Sequence, residues 1–370
     1  MGSKIADHNR ESPITEIRGG AMLTTVAAGR VFDFSHAVGR GALSGQGFRM
    51  AIALALGEGD TLYAVNRGWE QVQNVPATRT QLGTRVGKFI IGSVPGDEEF
   101  VADFSKPGDR PGELMWPAGI ALDSQENVYV TDEWLNRISI FDKDGQFLRQ
   151  WGSFGSEDGE LNGPSGITFD PKDVLYLVDS RNHRVQKFTR EGLFLSSWGS
   201  LGSAPGQLKA PWGITLDQQG SVYVADHKNH RVQKFTPDGE FICQFGRYGT
   251  GKGQLNRPTD VAVDSDGDVY VCDWANHRVQ VFDPDGKAVT SLRGDAQELS
   301  KWAKMTLDAS PDAMKRRREV HSLEPEWRFA FPTAVVFDER YERLIVSDTQ
   351  RNRLQIYNKL KNYQTAARTI

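Results

Sequence analysis

The chain repeats itself every 47 residues. Tyr129, Tyr176, Tyr223 and Tyr270 stand at that spacing, and so do Pro117, Pro164, Pro211 and Pro258, and Gly145, Gly192, Gly239 and Gly286. Self-similarity at such a period means one supersecondary unit copied along the chain. A single unit cannot bury its own apolar face, so neighbouring copies must stack. One copy reads PSGITFD, then VLYLVDSRNHRVQKF, then TREGLFLSSWG, then a Gly-rich loop ending in GQL. It holds four short alternating runs bounded by turn residues, Ser165–Asp170, Val174–Asp179, Val185–Phe188 and Leu193–Trp198. Alternation of period two in short runs predicts strands. The last two runs meet at Glu191-Gly192, which is Asp-Gly in three sibling copies and a hairpin signal.

Four strands at a period of about 40–50 residues make one blade of a β-propeller. Clear units start at Pro117, Pro164, Pro211 and Pro258, a later one at Pro332, and a degenerate one covers roughly 48–104. The expected fold is therefore all-β, a six-bladed propeller. The last unit has three strands and ends near Leu354–Tyr357, while residues 31–47 match the pattern of a fourth strand and its loop. Val31–Val38 is expected to close the ring as the outer strand of the last blade, which hides the open sheet edge.

Composition narrows the rest. With 44 Lys+Arg against 48 Asp+Glu the net charge is −4, which argues against a strongly basic nucleic-acid binder. Two cysteines, Cys243 and Cys272, rule out a disulfide scaffold and a cysteine-based structural zinc site. No apolar run is long enough for a membrane helix. Residues 1–21 lack periodicity and an apolar core, so a disordered leader is expected there and a cytoplasmic location follows. The propeller is expected over 22–360, with a helical insertion at 294–331 and a short tail at 361–370.

The repeat resembles the NHL repeat. The segments carrying the likeness are Asp179-Ser180-Arg181-Asn182-His183-Arg184-Val185, Asp226-His227-Lys228-Asn229-His230-Arg231-Val232 and Asp273-Trp274-Ala275-Asn276-His277-Arg278-Val279, with weaker copies at Asp132 and Asp348. The resemblance implies a fold and leaves function open, because propellers host many unrelated activities. Peptidyl-α-hydroxyglycine α-amidating lyase is a six-bladed propeller of this type, with zinc held by three histidines in Pro-His motifs. The matching positions here are Ala118, Ser165, Trp212, Thr259 and Thr333, none of them His. Asn66-Arg67-Gly68 alone resembles that family's first-blade motif. Zinc chemistry is thus unsupported by the ligand pattern. Calcium, as in lactone-hydrolysing propellers, would have only Glu133, Asp260 and Asn66 to bind it. The repeated His183, His230 and His277 are expected to be structural, since repetition itself explains them.

First strands line a propeller's channel, and their entry ends share a face with the loops between second and third strands. Both insertions, Gly68–Gly83 and about Gly294–Phe331, fall on that face, the usual mark of a binding face. Ser310-Pro311-Asp312 is a helix start. Leu299, Trp302, Met305 and Trp327 are expected to pack the second insertion over the rim. Lys315-Arg316-Arg317-Arg318 is followed by Glu319, Glu324 and Glu326 and reads as a solvated helix face. The candidate ligand-binding residues are Arg67, Glu133, Trp134, Arg181, Trp212, His227, Lys228, Asp260 and Trp274. They stand where the copies differ from one another, and the fold does not dictate them. The expectation is a non-catalytic propeller without a cofactor that binds a small molecule or peptide bearing an anionic group. A divergent metal-dependent lyase or hydrolase is the alternative. A protein partner is open, and a nucleic-acid or membrane partner is not expected.

Overall fold

The computed structural model describes residues 23–72 and 79–361, with the side chains of 69–81 outside that description. The expected leader and most of the expected tail lie outside the described residues. Six antiparallel sheets form a ring. Blade 1 comprises Ala51–Leu56, Thr61–Asn66, Arg85–Ile90 and Glu99–Phe104. Blades 2 to 5 repeat that order from Pro117–Leu122, Pro164–Phe169, Ile214–Leu216 and Pro258–Val263. Blade 6 runs Ala334–Asp338, Arg343–Asp348 and Arg353–Lys359, and then takes Arg30–Val38 as its fourth strand. Residue pairs from Phe32↔Lys359 to Val38↔Leu354 make that closure. A fifth strand, Thr24–Ala27, extends the sheet outward and had no signal in the sequence. The first insertion forms a hairpin of Trp69–Val72 with Arg79–Leu82.

The core is six apolar slabs, one between each pair of neighbouring blades. Alternation puts one face of every strand against the blade before it and the other against the blade after it. An aromatic on the outer strand of one blade meets a phenylalanine on the third strand of the next. Trp151 lies 4.9 Å from Phe188, and Phe104 lies 5.2 Å from Phe141, between ring centroids. At the closing seam the outer strand offers only Val38, which leaves room beside Phe89. Trp302 fills it, 1% exposed and 6.0 Å from Phe89.

Trp302 belongs to α1 (Lys301–Asp308), the first of three helices in the second insertion. α2 (Pro311–Glu319) starts at Ser310, whose side chain accepts from the Ala313 N–H, as the sequence implied. α3 spans Glu324–Trp327. Ser300 caps α1 and donates to the Gly39 carbonyl at the end of the closing strand. The Lys301 N–H and ammonium bond to Glu98 and Gly96 of blade 1. The insertion therefore clasps the seam from outside. Its C-terminal part, with α3 and Phe331, lies on the rim at blade 6, where Arg351 and Arg353 bond to the Pro325 and Glu326 carbonyls; among the described residues none from 294–331 lines the channel cavity, and Met305 is 55% exposed. The physical reason is volume: outer strands ending in Val38 and Leu292 rather than an aromatic leave space that the insertion fills with Trp302 at one junction and Phe329, 6.3 Å from Tyr357, at the other. Arg317 of the basic run pairs with Glu326.

Removing a buried aromatic leaves a cavity as well as losing apolar burial. Trp302→Ala is expected to cost about 3–5 kcal/mol in urea unfolding. An unchanged midpoint would show that α1 does not hold the seam.

Candidate functional site

In blades 2 to 6 the turn after the second strand is built on a buried carboxylate. Asp179 accepts from the Asn162 N–H (2.7 Å) and from Asn182 (2.8 Å), Arg184 (2.9 Å) and Gln186 (3.1 Å). Asp226 is held in the same way by Lys209 N–H, Asn229, Arg231 and Gln233. A buried charge is tolerated only when hydrogen-bonded and paired like this. The residue after the Asn adopts a left-handed conformation, with φ of +57° at His183, +56° at His230 and +53° at His277. Each of these histidines accepts, through Nδ1, an N–H from the next blade: Ala210, Arg257 and Phe331. Asn136 and Asn352 do the same for Gly163 and Met50. These repeated side chains are latches between blades, so they are not free to hold a metal.

The positions between carboxylate and latch lie on the face where the first strands begin, around the mouth of the channel. In blade order the first of them are Arg67, Glu133, Ser180, His227, Trp274 and Thr349. The Arg67 guanidinium forms an ion pair with Glu133 and lies 4.9 Å from the Trp116 ring centre. Trp134 packs edge-on against Trp116 and is 45% exposed. Across the ring, on blades 4 and 5, His227 lies 5.9 Å from Trp212 and 6.5 Å from Trp274. Phe331 extends this aromatic arc, 4.8 Å from Trp274. Arg181 and Lys228 are exposed beside it, with no ion-pair partner among the described residues.

Of the four basic candidates, Arg67, Arg181, His227 and Lys228, two are not placed to attract an anion. Arg67 is already neutralised by Glu133. Burial pushes His227 down to about 4, against the opposing pull of the Pro258 carbonyl 3.1 Å from its Nδ1, so the ring is neutral. That contact puts the proton on Nδ1 and leaves Nε2 as an acceptor. Arg181 and Lys228 remain as the cations at the mouth.

Below the mouth the first strands enclose a channel cavity of about 240 Å³, lined by Ala118, Trp212, Thr259, Asp260 and Thr333 among others. Ser165 was expected there and is absent from the wall. It is fully buried, and its hydroxyl donates to the Trp212 carbonyl of the next blade. Thr259 likewise bonds to Pro332, and Thr333 to Ala51. Asp260 accepts from the Val335 N–H of blade 6 at 3.0 Å, and protein surrounds it except towards the lumen. This burial pushes its carboxyl up to about 7. Trp116 and Phe331 are the mouth residues that sequence reasoning missed. Both directly precede the repeat proline, a position whose side chains vary from copy to copy, and that variation is the signal that could have found them.

Three segments, residues 161–188, 208–235 and 255–282, match the family model of the NHL repeat. The chain is a six-bladed propeller that contains NHL repeats. No curated protein matches the sequence. Among solved structures, the NHL propeller is similar to a catalytically inactive histidine-to-alanine variant of virginiamycin B lyase from Staphylococcus aureus with quinupristin. That match has 14% identity and a TM-score of 0.51, and covers 88% of this chain and 99% of that one. It is also similar to an auxiliary nutrient binding protein from Bacteroides thetaiotaomicron, with 13% identity and a TM-score of 0.59, covering 93% of this chain and 79% of that one. At these identities the likeness shows the fold alone.

The raised carboxyl of Asp260 gives a pH dependence of known sign. Its folded pKa lies above the unfolded one, so ionisation opposes folding, and the penalty grows as pH rises from about 4 to about 7. Asp260→Asn is expected to melt above the wild type at pH 8 and level with it near pH 4. Equal melting temperatures at both pH values would place Asp260 in contact with bulk water.

Proposed function

We propose that this NHL propeller is a binding protein without catalytic activity of its own. It takes a small molecule or peptide bearing a carboxylate and an apolar or aromatic group at the channel mouth. The observation that carries this reading is the pairing of an aromatic arc, Trp212, His227, Trp274 and Phe331, with the uncompensated Arg181 and Lys228 beside it. Aromatic walls with a few convergent polar groups suit an organic ligand. A cation without an internal partner favours an anionic one. The groups that the repeat itself requires are satisfied by each other, which leaves these side chains with no structural task. On blades 1 and 2 the Arg67–Glu133 pair sets a neutral wall opposite. Its neutrality supports the same orientation, with the anionic end of a ligand on blades 3 and 4.

The metal-dependent lyase or hydrolase reading has less support. Among the described residues no three His, Cys, Asp or Glu side chains are grouped to hold a metal ion. Elemental mass spectrometry on protein purified without added metal or chelator checks it. A content near one zinc or calcium per chain would turn the reading towards an enzyme.

The binding reading is tested by isothermal titration with N-acetylphenylalanine and related aromatic carboxylates. Trp212→Ala together with Trp274→Ala is expected to weaken binding at least about tenfold, given the area each ring contributes. Lys228→Ala should discriminate against the carboxylate over its amide. Affinity untouched by all three changes would overturn the site.

A further inference from the structure

The mouth is one edge of a larger charged surface. On the same face, the turns of blades 3, 4 and 5 and the two loops joining them, residues 199–210 and 246–257, carry Arg181, Lys209, Lys228, Arg247, Lys252 and Arg257. All six are exposed, and none has an ion-pair partner among the described residues. Those turns and loops contain no Asp or Glu. The buried Asp179, Asp226 and Asp273 beneath them are each paired with their own blade's arginine. The cations act on one another's surroundings: Lys228 and Lys209, after burial, lower His183, and Arg257, after burial, lowers His230. A sector of single sign in an acidic chain is an electrostatic docking surface.

Its boundaries define the length of what it can bind. On the blade 2 side the joining loop brings Glu157, Asp158 and Glu160, and on the blade 6 side α3 brings Glu324 and Glu326, which pair with Arg328 and Arg317 and end the run of uncompensated cations. The sector therefore ends after three blades on each side. Within it, one repeat position holds Leu201 and then Tyr248, which are 61% and 68% exposed, and Phe154 at 70% holds the same position at the edge. Solvent-facing apolar side chains recurring among cations call for a partner that offers both acids and apolar groups. A peptide does so. A nucleic acid offers phosphates and ring faces but has no counterpart for Leu201, and a longer strand would run into the flanking acids.

We propose that the face of blades 3 to 5 is a docking surface for a short acidic segment of a partner protein, in which acidic side chains alternate with apolar ones. Its acids lie on the six cations and its apolar side chains on Leu201 and Tyr248. The proposal rests on the mouth reading at one end, where Arg181 and Lys228 are shared, and extends it outward over Lys209, Arg247, Lys252 and Arg257.

Fluorescence anisotropy on the full chain tests it, with a labelled decapeptide of alternating Glu and Leu as the probe. The comparators are its Ser–Leu counterpart and a decauridylate. The Glu–Leu peptide is expected to bind at least about tenfold more tightly than either. Arg247→Glu with Arg257→Glu should weaken it about 30-fold, and Leu201→Ser with Tyr248→Ser about tenfold. Lys172→Glu, on an exposed turn of the opposite face, should leave it unchanged. Tighter binding of the decauridylate would overturn the proposal in favour of a nucleic-acid surface, and indifference to the Arg247 and Arg257 reversals would overturn it outright. N-acetylphenylalanine is titrated into the same variants to separate the two readings. Retained binding of that probe, with no peptide effect, removes the docking surface and leaves the mouth standing.

Discussion

A buried aspartate at the end of the second strand holds each regular blade together. Its carboxylate lies in the protein interior, where an asparagine three residues on, an arginine five on and an N–H from the preceding loop donate to it, joined in blades 3 and 4 by a glutamine seven on. The same arginine reaches past the carboxylate to that loop's carbonyls, as Arg184 does to Glu157 and Glu160. One acid therefore ties a turn, a strand and a loop into one piece. Removing any one donor would leave a buried charge under-satisfied, a costly state. That cost keeps Asp-x-x-Asn-x-Arg-x-Gln together as a unit, and keeps its members out of ligand chemistry.

Where the unit changes, the molecule supplies other contacts. Blade 1 has Asn66 in place of the aspartate, so Arg85 pairs with Asp103 and donates to the carbonyls of Leu43, Gly47 and Gly83. Among the described residues the junction from blade 1 to blade 2 shows no asparagine or histidine latch, and there Arg67 bridges to Glu133 and Trp116. Closing the ring joins Arg30–Val38 to Arg353–Lys359, across most of the chain, and the chain entropy lost must be offset locally. The seam is accordingly dense in ionic and apolar contacts. Lys359 sits among Asp264, Asp266 and Asp268, Arg30 joins Asp268, Arg343 joins Asp338 and Asp60, and Trp302 fills the apolar gap.

Repetition made the fold legible. A period that carries tyrosine, proline and glycine together specifies blade count, and the missing fourth strand of the last unit pointed to Val31–Val38, one residue short of the observed closure. The structural role of His183, His230 and His277 was legible for the same reason. What the sequence did not show depends on neighbours distant in the chain. The insertion's path was set by a gap beside Val38 and Phe89, which no local pattern encodes. Arg67 and His227 stand at positions that differ between copies, but the ion pair of Arg67 with Glu133 and the burial of His227 beside two tryptophans are set by neighbours on other blades. Ser165 occupies a repeat position that faces the lumen in other blades, yet its hydroxyl finds a backbone carbonyl first.

The division of labour around the ring follows from these constraints. Blades 6, 1 and 2 use their variable positions to close the circle: Thr333, Ser347 and Thr349 all donate to the single carbonyl of Ala51, and Arg67 is spent on Glu133. Blades 3 to 5, by contrast, contain the segments that match the repeat model, and there the repeated Asp, Asn and Arg side chains satisfy one another. Strict internal satisfaction is what frees the intervening positions. A lysine, an arginine, a tryptophan or a leucine can stand there without disturbing the carboxylate beneath. The most regular part of the ring is therefore the part best able to carry recognition, and it is there that unpaired cations and exposed apolar side chains gather on one face.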